Sequence, residues 1–370
     1  MTENTSRKTK GQMDAALDKI LRKGFAVGAS DVHLTVGKPP IFRVRGQLID
    51  MPNINALSNK HLETFTKSIT TPEMWDMFVK TKELDYSCFI EGVSRFRVNT
   101  FFQRGKVSMV FRIIPNDIPP LESLNMPTVL REIIKKKQGL ILVTGPTGSG
   151  KSTTLAAMIA EMNHNTDRHI ITLEDPIEYM HESDKSIIVQ REVGVDTITF
   201  INGLRASLRQ DPDVILVGEL RDLETIQTAV TAAETGHLVL GTLHTNSATA
   251  TITRMIDMFP PAQQTQIQEQ IASTLEAVIA QQLLRTTDGK GRVAATEVMI
   301  SNHAIRNQIK GNKLSQLKST LQTSREYGMH TMDMDLDRLV QTGQVTPEVA
   351  LPYYAEKPKD DDAATARKRR

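Results

Sequence analysis

The sequence predicts an α/β protein in which a smaller α+β domain precedes a larger P-loop domain with a parallel-rich sheet. Three observations lead to this fold class. From about residue 128, near-continuous apolar runs alternate with helical patterns, which is typical of parallel strands covered by helices on both faces. The first of these runs leads through a glycine-rich loop into a helical pattern. In the first hundred residues, alternating strand-like runs surround a pair of helical patterns instead.

The smaller domain is expected over residues 13–114, after a disordered polar lead at 1–12. Met13 to Lys23 has the apolar spacing of an amphipathic helix, and Gly24 and Gly28 after it are expected to interrupt the helix. Strands are predicted at 30–36, 41–44, 94–103 and 107–113, and helices at 58–69 and 72–80. Four prolines interrupt any regular element after this domain, so 115–127 is predicted to be a linker.

The larger domain is expected over residues 128–356. Its predicted strands are 140–143, 170–173, 214–217 and 238–243, and its helices near them are 152–163, 199–210 and 222–235. After residue 246 the pattern is mainly helical, with segments at 246–258, 261–285, 303–310, 313–322 and 331–342. Residues 357–370 are predicted to be a disordered charged tail.

Composition excludes several classes of protein. With 39% hydrophobic and 24% charged residues among 370, the chain can bury a large core, and its net charge of +2 gives no overall basic field for nucleic acid. The one cysteine, Cys88, excludes an internal disulfide and a multi-cysteine zinc site, and its place in an alternating run favours a buried thiol. No apolar run approaches the ~20 residues of a membrane-spanning helix. We therefore expect a cytoplasmic protein, with peripheral attachment to a membrane complex left open.

The glycine-rich loop has the chemistry of a phosphate-binding P-loop. It reads Gly145-Pro146-Thr147-Gly148-Ser149-Gly150-Lys151-Ser152 and is followed by Thr153 at the start of the helical pattern. Glycines let backbone N–H groups converge on phosphate oxygens, and the helix N-terminus adds partial positive charge. Lys151 can neutralise the β- and γ-phosphates, and Ser152 can bind Mg²⁺. The loop and Thr153 are therefore predicted to bind a nucleoside triphosphate.

Acidic and imidazole side chains follow the other predicted strands. Because ligands gather at the carboxyl ends of parallel strands, these residues are candidates for the same site. Glu219, with Arg221 beyond it, follows 214–217 and is expected to orient Mg²⁺ or water. Asp175 and Glu178 follow 170–173, and either could polarise the attacking water, although a helix-capping role is an alternative for this pair.

Two histidines flank the predicted strand 238–243. A histidine at a strand boundary is often a structural group, but His237 and His244 are also candidates for sensing the γ-phosphate through a hydrogen bond. Together with Asp175 and Arg221, His237 is a candidate for phosphate sensing, and His244 is placed with the catalytic residues.

These motifs resemble those of the secretion ATPases of type II and type IV pilus systems. The resemblance rests on the P-loop, on Leu173 to Tyr179, on Val217 to Asp222 and on Glu234 to Asn246, in matching order and spacing. Within that superfamily the chain is most similar to the PilT-type pilus retraction ATPases. Further matches are Ala29 to Leu34, Arg95 to Asn99, Phe111 to Pro115 and Gln190 to Gly194.

The resemblance implies a hexameric ring of subunits with a PAS-like first domain and a RecA-like second domain, which hydrolyses ATP with Mg²⁺. It implies that Glu178 is the water-activating base, that Glu219 supports the metal and the water, and that Arg97 and Arg112 reach the phosphates. Without it, both arginines would be interpreted as strand-face residues. The implied partners are an inner-membrane pilus platform protein and, indirectly, pilin, at the cytoplasmic face of the inner membrane, with no nucleic acid.

The retraction subfamily also carries a segment that corresponds to Ala304 to Lys313 here. Gln308 and Gly311 depart from its pattern, so a coupling role and a plain surface helix remain alternatives. The leading hypothesis is a motor that retracts the pilus and so drives twitching motility. A pilus extension or type II secretion ATPase, a nucleic-acid translocase and a regulatory nucleotide-binding subunit are the alternatives. Extension ATPases usually have a longer N-terminal region and a four-cysteine metal site, which this sequence lacks.

Overall fold

The structure is a computed structural model that describes residues 13–44, 46–51, 54–115 and 117–355. The predicted lead at 1–12 and the predicted tail at 357–370 lie outside the described residues. The chain divides into two compact units, residues 1–117 and 118–370.

The first unit has a mixed helix and strand order, as the sequence predicts. Its elements are α1 (Ala15–Ala26), β1 (Ala29–Leu34), β2 (Ile41–Val44), β3 (Gln47–Asp50), α2 (Asn59–Ile69), α3 (Pro72–Thr81), β4 (Glu83–Ile90), β5 (Ser94–Gln103) and β6 (Lys106–Ile113). The strands form an antiparallel sheet in the order β3-β2-β1-β6-β5-β4. The short strand β3 was not predicted, because its four residues are all exposed and show no apolar alternation.

Gly24 does not interrupt the first helix. Helix α1 continues through it to Ala26, and the chain turns at Gly28, whose φ is +68°. A Cβ on Gly24 would lie 2.8 Å from Cγ2 of Val32 on β1. The glycine is therefore needed for close packing of the helix on the sheet. Cys88 is buried among the same apolar side chains, as predicted.

The second unit alternates strands and helices. It contains α4 (Leu130–Ile133), β7 (Gly139–Thr144), α5 (Lys151–Asn165), β8 (His169–Glu174), β9 (Ile187–Glu192), α6 (Phe200–Ser207), β10 (Val214–Val217), α7 (Leu223–Glu234), β11 (Leu238–Leu243), α8 (Ala248–Asp257), α9 (Pro261–Thr274), β12 (Leu275–Arg285), β13 (Arg292–Ile300), α10 (His303–Lys310), α11 (Leu317–Thr323), α12 (Met332–Gln341) and α13 (Pro347–Ala350). Its sheet has the order β13-β12-β7-β11-β10-β8-β9, with β12 and β13 antiparallel and the other neighbours parallel.

Both faces of the central strands are covered. On β7, Leu140 and Leu142 belong to one apolar cluster, whereas Ile141 and Val143 belong to another that includes residues of α5. Successive side chains of a strand point to opposite faces, so both sets must be apolar. This double burial is why the strands read as continuous apolar runs in the sequence. Within the predicted linker, Leu121 and Met126 are also buried in the second of these clusters.

The predicted helix 261–285 is wrong in its second half. Helix α9 ends at Thr274, and residues 275–285 form β12, which pairs with the P-loop strand β7. Strand β13 follows it and was not predicted, and neither was β9 at the sheet edge. An apolar run buried on both faces cannot be assigned to helix or strand from periodicity alone. The β-branched pair Val278 and Ile279 was the available signal for a strand.

Helix α10 contains the segment that departs from the retraction pattern. Ile305 and Ile309 are fully buried, so this helix packs one face against the unit. Gln308 Nε2 donates to Thr320 Oγ1 on α11 at 2.8 Å, and α10 ends with Gly311 as its C-cap. The polar residue at position 308 therefore has a hydrogen-bond partner that a leucine would not use. Among the described helices, none is both long and apolar enough to cross a membrane.

Candidate functional site

The P-loop connects β7 to α5 as the sequence predicts. Gly150 adopts a φ of +91° and caps α5, so Lys151 and Ser152 are the first two helical residues. Lys151 Nζ donates to the carbonyl oxygens of Gly145 at 2.8 Å and Pro146 at 3.1 Å. Burial lowers the pKa of Lys151, and the negative charge of Glu219 opposes this shift. The ammonium group is thus inside the loop and close enough to Glu219 to interact with it.

The rest of the loop is open to solvent at its tip. Thr147, Gly148 and Ser152 are exposed, whereas Ser149 is buried with 3% of its surface accessible. An exposed hydroxyl at the start of a helix can bind a cation that also contacts phosphate oxygens, so Ser152 suits Mg²⁺. Magnesium usually keeps several waters and takes few protein ligands, so one hydroxyl together with the carboxylate of Glu219, which influences the neighbouring Lys151, fits its chemistry.

Glu219 contacts both Arg221 and His244 at the carboxyl ends of β10 and β11. Arg221 Nη2 lies 2.7 Å from Glu219 Oε2, and His244 Nε2 lies 3.1 Å from Glu219 Oε1. Burial acts to raise the pKa of Glu219, but Arg221, through its hydrogen bond and charge, and His244 together lower it below the usual value. Glu219 is therefore held as a carboxylate with both oxygens engaged.

The acidic segment after β8 does not cap a helix. Residues 175–183 contain no helix, so the alternative of helix capping by Asp175 and Glu178 is wrong. Asp175 is exposed and contributes negative charge near Arg221. Glu178 is half-buried, and its backbone N–H donates to Glu174 Oε2 at 3.5 Å. The segment is an irregular loop at the same sheet edge as the P-loop.

Two side chains that sequence reasoning did not single out hold this acidic loop. Tyr179 OH and Thr153 Oγ1 on α5 are 2.9 Å apart, which fixes the residue next to Glu178 against the first turn of the P-loop helix. Glu174 accepts from Thr172 Oγ1 at 2.7 Å and from Gln190 Nε2 at 3.2 Å. Burial raises the pKa of Glu174. Glu174 thus connects the loop to strands β8 and β9.

His237 lies at the wrong edge of the sheet for phosphate sensing within its own chain. It precedes β11, whereas His244 follows that strand. Its carbonyl oxygen accepts from the N–H of Gly139, the first residue of β7, and its Nδ1 lies 3.0 Å from Ala232 O. Six residues of strand span about 20 Å. The sequence placed both histidines at the active edge, but a strand presents its two ends to opposite edges.

Arg97 and Arg112 lie in the first unit, directly opposite each other on β5 and β6. Both are exposed. Arg112 Nε donates to Asp31 Oδ1 at 3.0 Å, and Asp31 is buried. Like charges directly opposite each other on neighbouring strands are destabilising. The other oxygen of Asp31 lies 4.0 Å from Arg43 Nε, so this carboxylate is shared between Arg43 and Arg112 while Arg97 lies opposite Arg112. This part of the sheet therefore has excess positive charge, which favours binding of an anion.

Gln281 on β12 contacts the P-loop and was also missed, because its strand was predicted as a helix. Its Nε2 donates to Ser149 O at 2.7 Å, and its Oε1 accepts from Thr154 Oγ1 at 3.0 Å. The side chain is buried, with 1% of its surface accessible. No local motif marks such a residue, because the contact joins positions 132 apart in the sequence.

Comparisons with known proteins show the family to which the chain belongs. The family described as type II/IV secretion system protein matches residues 6–366. The type IV pilus retraction ATPase PilT of Pseudomonas aeruginosa is 47% identical over 334 residues, which cover 90% of this chain and 96% of that protein. A twitching motility protein of Neisseria gonorrhoeae is 46% identical over 313 residues, or 84% of this chain and 83% of that protein. A crystal structure of the pilus retraction motor PilT with bound ADP matches with a TM-score of 0.87 at 45% identity, covering 92% of this chain and 97% of that one.

Proposed function

The chain belongs to the type II/IV secretion system protein family as an ATPase of the pilus retraction type, and we propose that it works as a hexameric ring motor that removes pilin subunits from a type IV pilus. The observation that carries the proposal is that the P-loop and the Glu219 cluster meet at one sheet edge in a chain so similar to retraction motors. The ring would act at the cytoplasmic face of the inner membrane on a pilus platform protein.

The P-loop and Glu219 are proposed to bind ATP and Mg²⁺. The loop from Gly145 to Ser152, with Thr153, would bind ATP, and Lys151 would exchange its carbonyl partners for phosphate oxygens. Magnesium, when bound, would supply charge neutralisation at the phosphates. Ser152 would hold it directly and Glu219 through a water, because both oxygens of Glu219 are already engaged.

Glu178 is the proposed base that orients and polarises the attacking water. Glu219 is poorly suited to that role, because its partners lower its pKa and so weaken it as a proton acceptor. Glu174 is poorly suited as well, because its Oε1 accepts from Thr172 and Gln190 and its Oε2 accepts from the N–H of Glu178. Glu178 is held beside the first turn of α5 through its neighbour Tyr179, which supports this assignment.

His244 and Arg221 are proposed to report the state of the γ-phosphate through Glu219. A phosphate oxygen that competes for either side chain would change the contacts of Glu219. Arg97 and Arg112 are proposed to supply phosphate contacts in the assembled ring. The excess positive charge of their cross-strand pair supports that role.

Two experiments on the purified chain test the site. Lys151→Ala should abolish phosphate release from ATP, and full activity in that variant would reject the assignment of the P-loop. Glu178→Gln should bind ATP with nearly unchanged affinity but turn over at least ~100-fold more slowly, as loss of a general base requires. Wild-type turnover in Glu178→Gln would remove Glu178 as the base.

A cellular experiment tests the motor function. Deleting the gene should leave pili that extend but do not shorten, and the wild-type gene should restore shortening whereas the Lys151→Ala gene should not. Pili that shorten normally after the deletion would reject a main role in retraction. Absence of hydrolysis by the wild-type chain would favour a regulatory subunit over a motor.

A further inference from the structure

Gln281 occupies the position where β12 extends past the end of the P-loop strand. Ala280 pairs with Thr144, the last residue of β7. Gln281 is therefore the first residue of β12 that has the P-loop beside it. A strand so placed can support the loop from the side.

Three P-loop residues meet Gln281. Its Nε2 donates to Ser149 O at 2.7 Å and lies 3.1 Å from where a Cβ on Gly150 would be. Its backbone oxygen lies 2.3 Å from where a Cβ on Gly145 would be. Thr154 Oγ1 donates to Gln281 Oε1 at 3.0 Å, which leaves Nε2 as the atom that faces the loop. The amide thus links the strand, the loop and the P-loop helix.

The hydrogen bond to Ser149 fixes the direction of one peptide group. In a trans peptide, the carbonyl of one residue and the N–H of the next point in opposite directions. The peptide between Ser149 and Gly150 is trans. With the Ser149 carbonyl held towards β12, the N–H of Gly150 must point away from that strand.

We propose that Gln281 is a positioning residue that keeps the P-loop in its phosphate-binding conformation by fixing the peptide between Ser149 and Gly150. The N–H of Gly150 is then presented to the phosphates before nucleotide arrives, and binding does not have to order it. This inference rests on the proposed nucleotide site. The residue acts through the loop and does not touch the phosphates itself.

The test compares ADP affinity in the full-length chain by titration calorimetry. Gln281→Met keeps a similar shape but removes the donor, and it should weaken ADP binding about tenfold because the Ser149 carbonyl loses its partner. Gln281→Glu replaces the donor with a carboxylate oxygen and should weaken binding at least as much. The matched control is Gln282→Met, on the opposite face of the same strand, which should keep wild-type affinity.

The variant Thr154→Val tests whether Thr154 acts on the P-loop through the amide of Gln281. If both residues act through one amide, the variant with Thr154→Val and Gln281→Met should bind ADP no more weakly than Gln281→Met alone. The melting temperature of each variant without nucleotide serves as the readout of a merely structural role.

The outcomes separate this inference from the proposed function. Wild-type protein that does not bind ADP would reject the proposed function. Wild-type binding together with unchanged affinity in Gln281→Met and Gln281→Glu would overturn only the role of Gln281. A lower melting temperature with unchanged ADP affinity would overturn it in the same way, because the side chain would then stabilise the fold and not the loop conformation.

Discussion

The hydroxyl of Tyr179 gives the sharpest test of how the acidic loop is held. It lies 2.9 Å from Thr153 Oγ1 on the P-loop helix, and Tyr179→Phe removes it without changing the ring. A net intramolecular hydrogen bond contributes about 0.5–1.5 kcal/mol. If that free energy positions Glu178 for attack, kcat should fall about two- to tenfold. The KM for ATP should change by less than about twofold, since the P-loop itself is unaltered.

The assay is steady-state phosphate release by the purified chain. Tyr354→Phe is the matched control, because it removes a tyrosine hydroxyl that donates to Asp337 at 2.7 Å on α12, outside the site. Thr153→Val should lower kcat at least as much, because Thr153 also belongs to the proposed nucleotide site, and the double variant should be no slower than the slower single variant. A wild-type kcat in Tyr179→Phe would refute the reasoning. Losses that add in the double variant would show that the two hydroxyls act separately.

Three other predictions follow from particular contacts. Arg221→Ala should raise the pKa of Glu219, because Arg221 lowers it in the wild type. As the pH falls, the variant should therefore lose activity at a higher pH than the wild type does. An unshifted acid limb of the pH–rate profile would contradict this. Gly24→Ala gains about 1 kcal/mol of helix propensity but crowds Val32 at a cost of about 1–3 kcal/mol, so the urea midpoint should fall rather than rise. Gly145→Ala places a Cβ against the backbone of β12 at a φ of +141°, so ADP affinity should fall about tenfold or more in a titration, and unchanged affinity would argue against a tight loop.

The sequence by itself determined the features that local patterns encode. Strand β7, the P-loop and α5 follow from an apolar run, a glycine pattern and helical spacing within about 25 residues. The fold class and the family follow from such segments in order. Glu219 and Lys151 could be placed at one edge because parallel strands present their carboxyl ends together.

Tertiary structure decided which residues actually meet. Strand β12 was predicted as a helix because burial on both faces removes the period of apolar residues that distinguishes a strand from a helix. For the same reason Gln281 was not identified as a neighbour of the P-loop. The contact of Glu219 with His244 needed the register of β10 against β11, whereas Arg221 is only two residues from Glu219 in the chain. The position of His237 follows from strand β11 alone, because His237 precedes that strand and His244 follows it. The bond between Tyr179 and Thr153 joins an irregular loop to a helix, and no periodicity describes such a loop. Local sequence sets backbone preference and burial, whereas contacts between distant side chains depend on how the strands pair and how the loops between them pack.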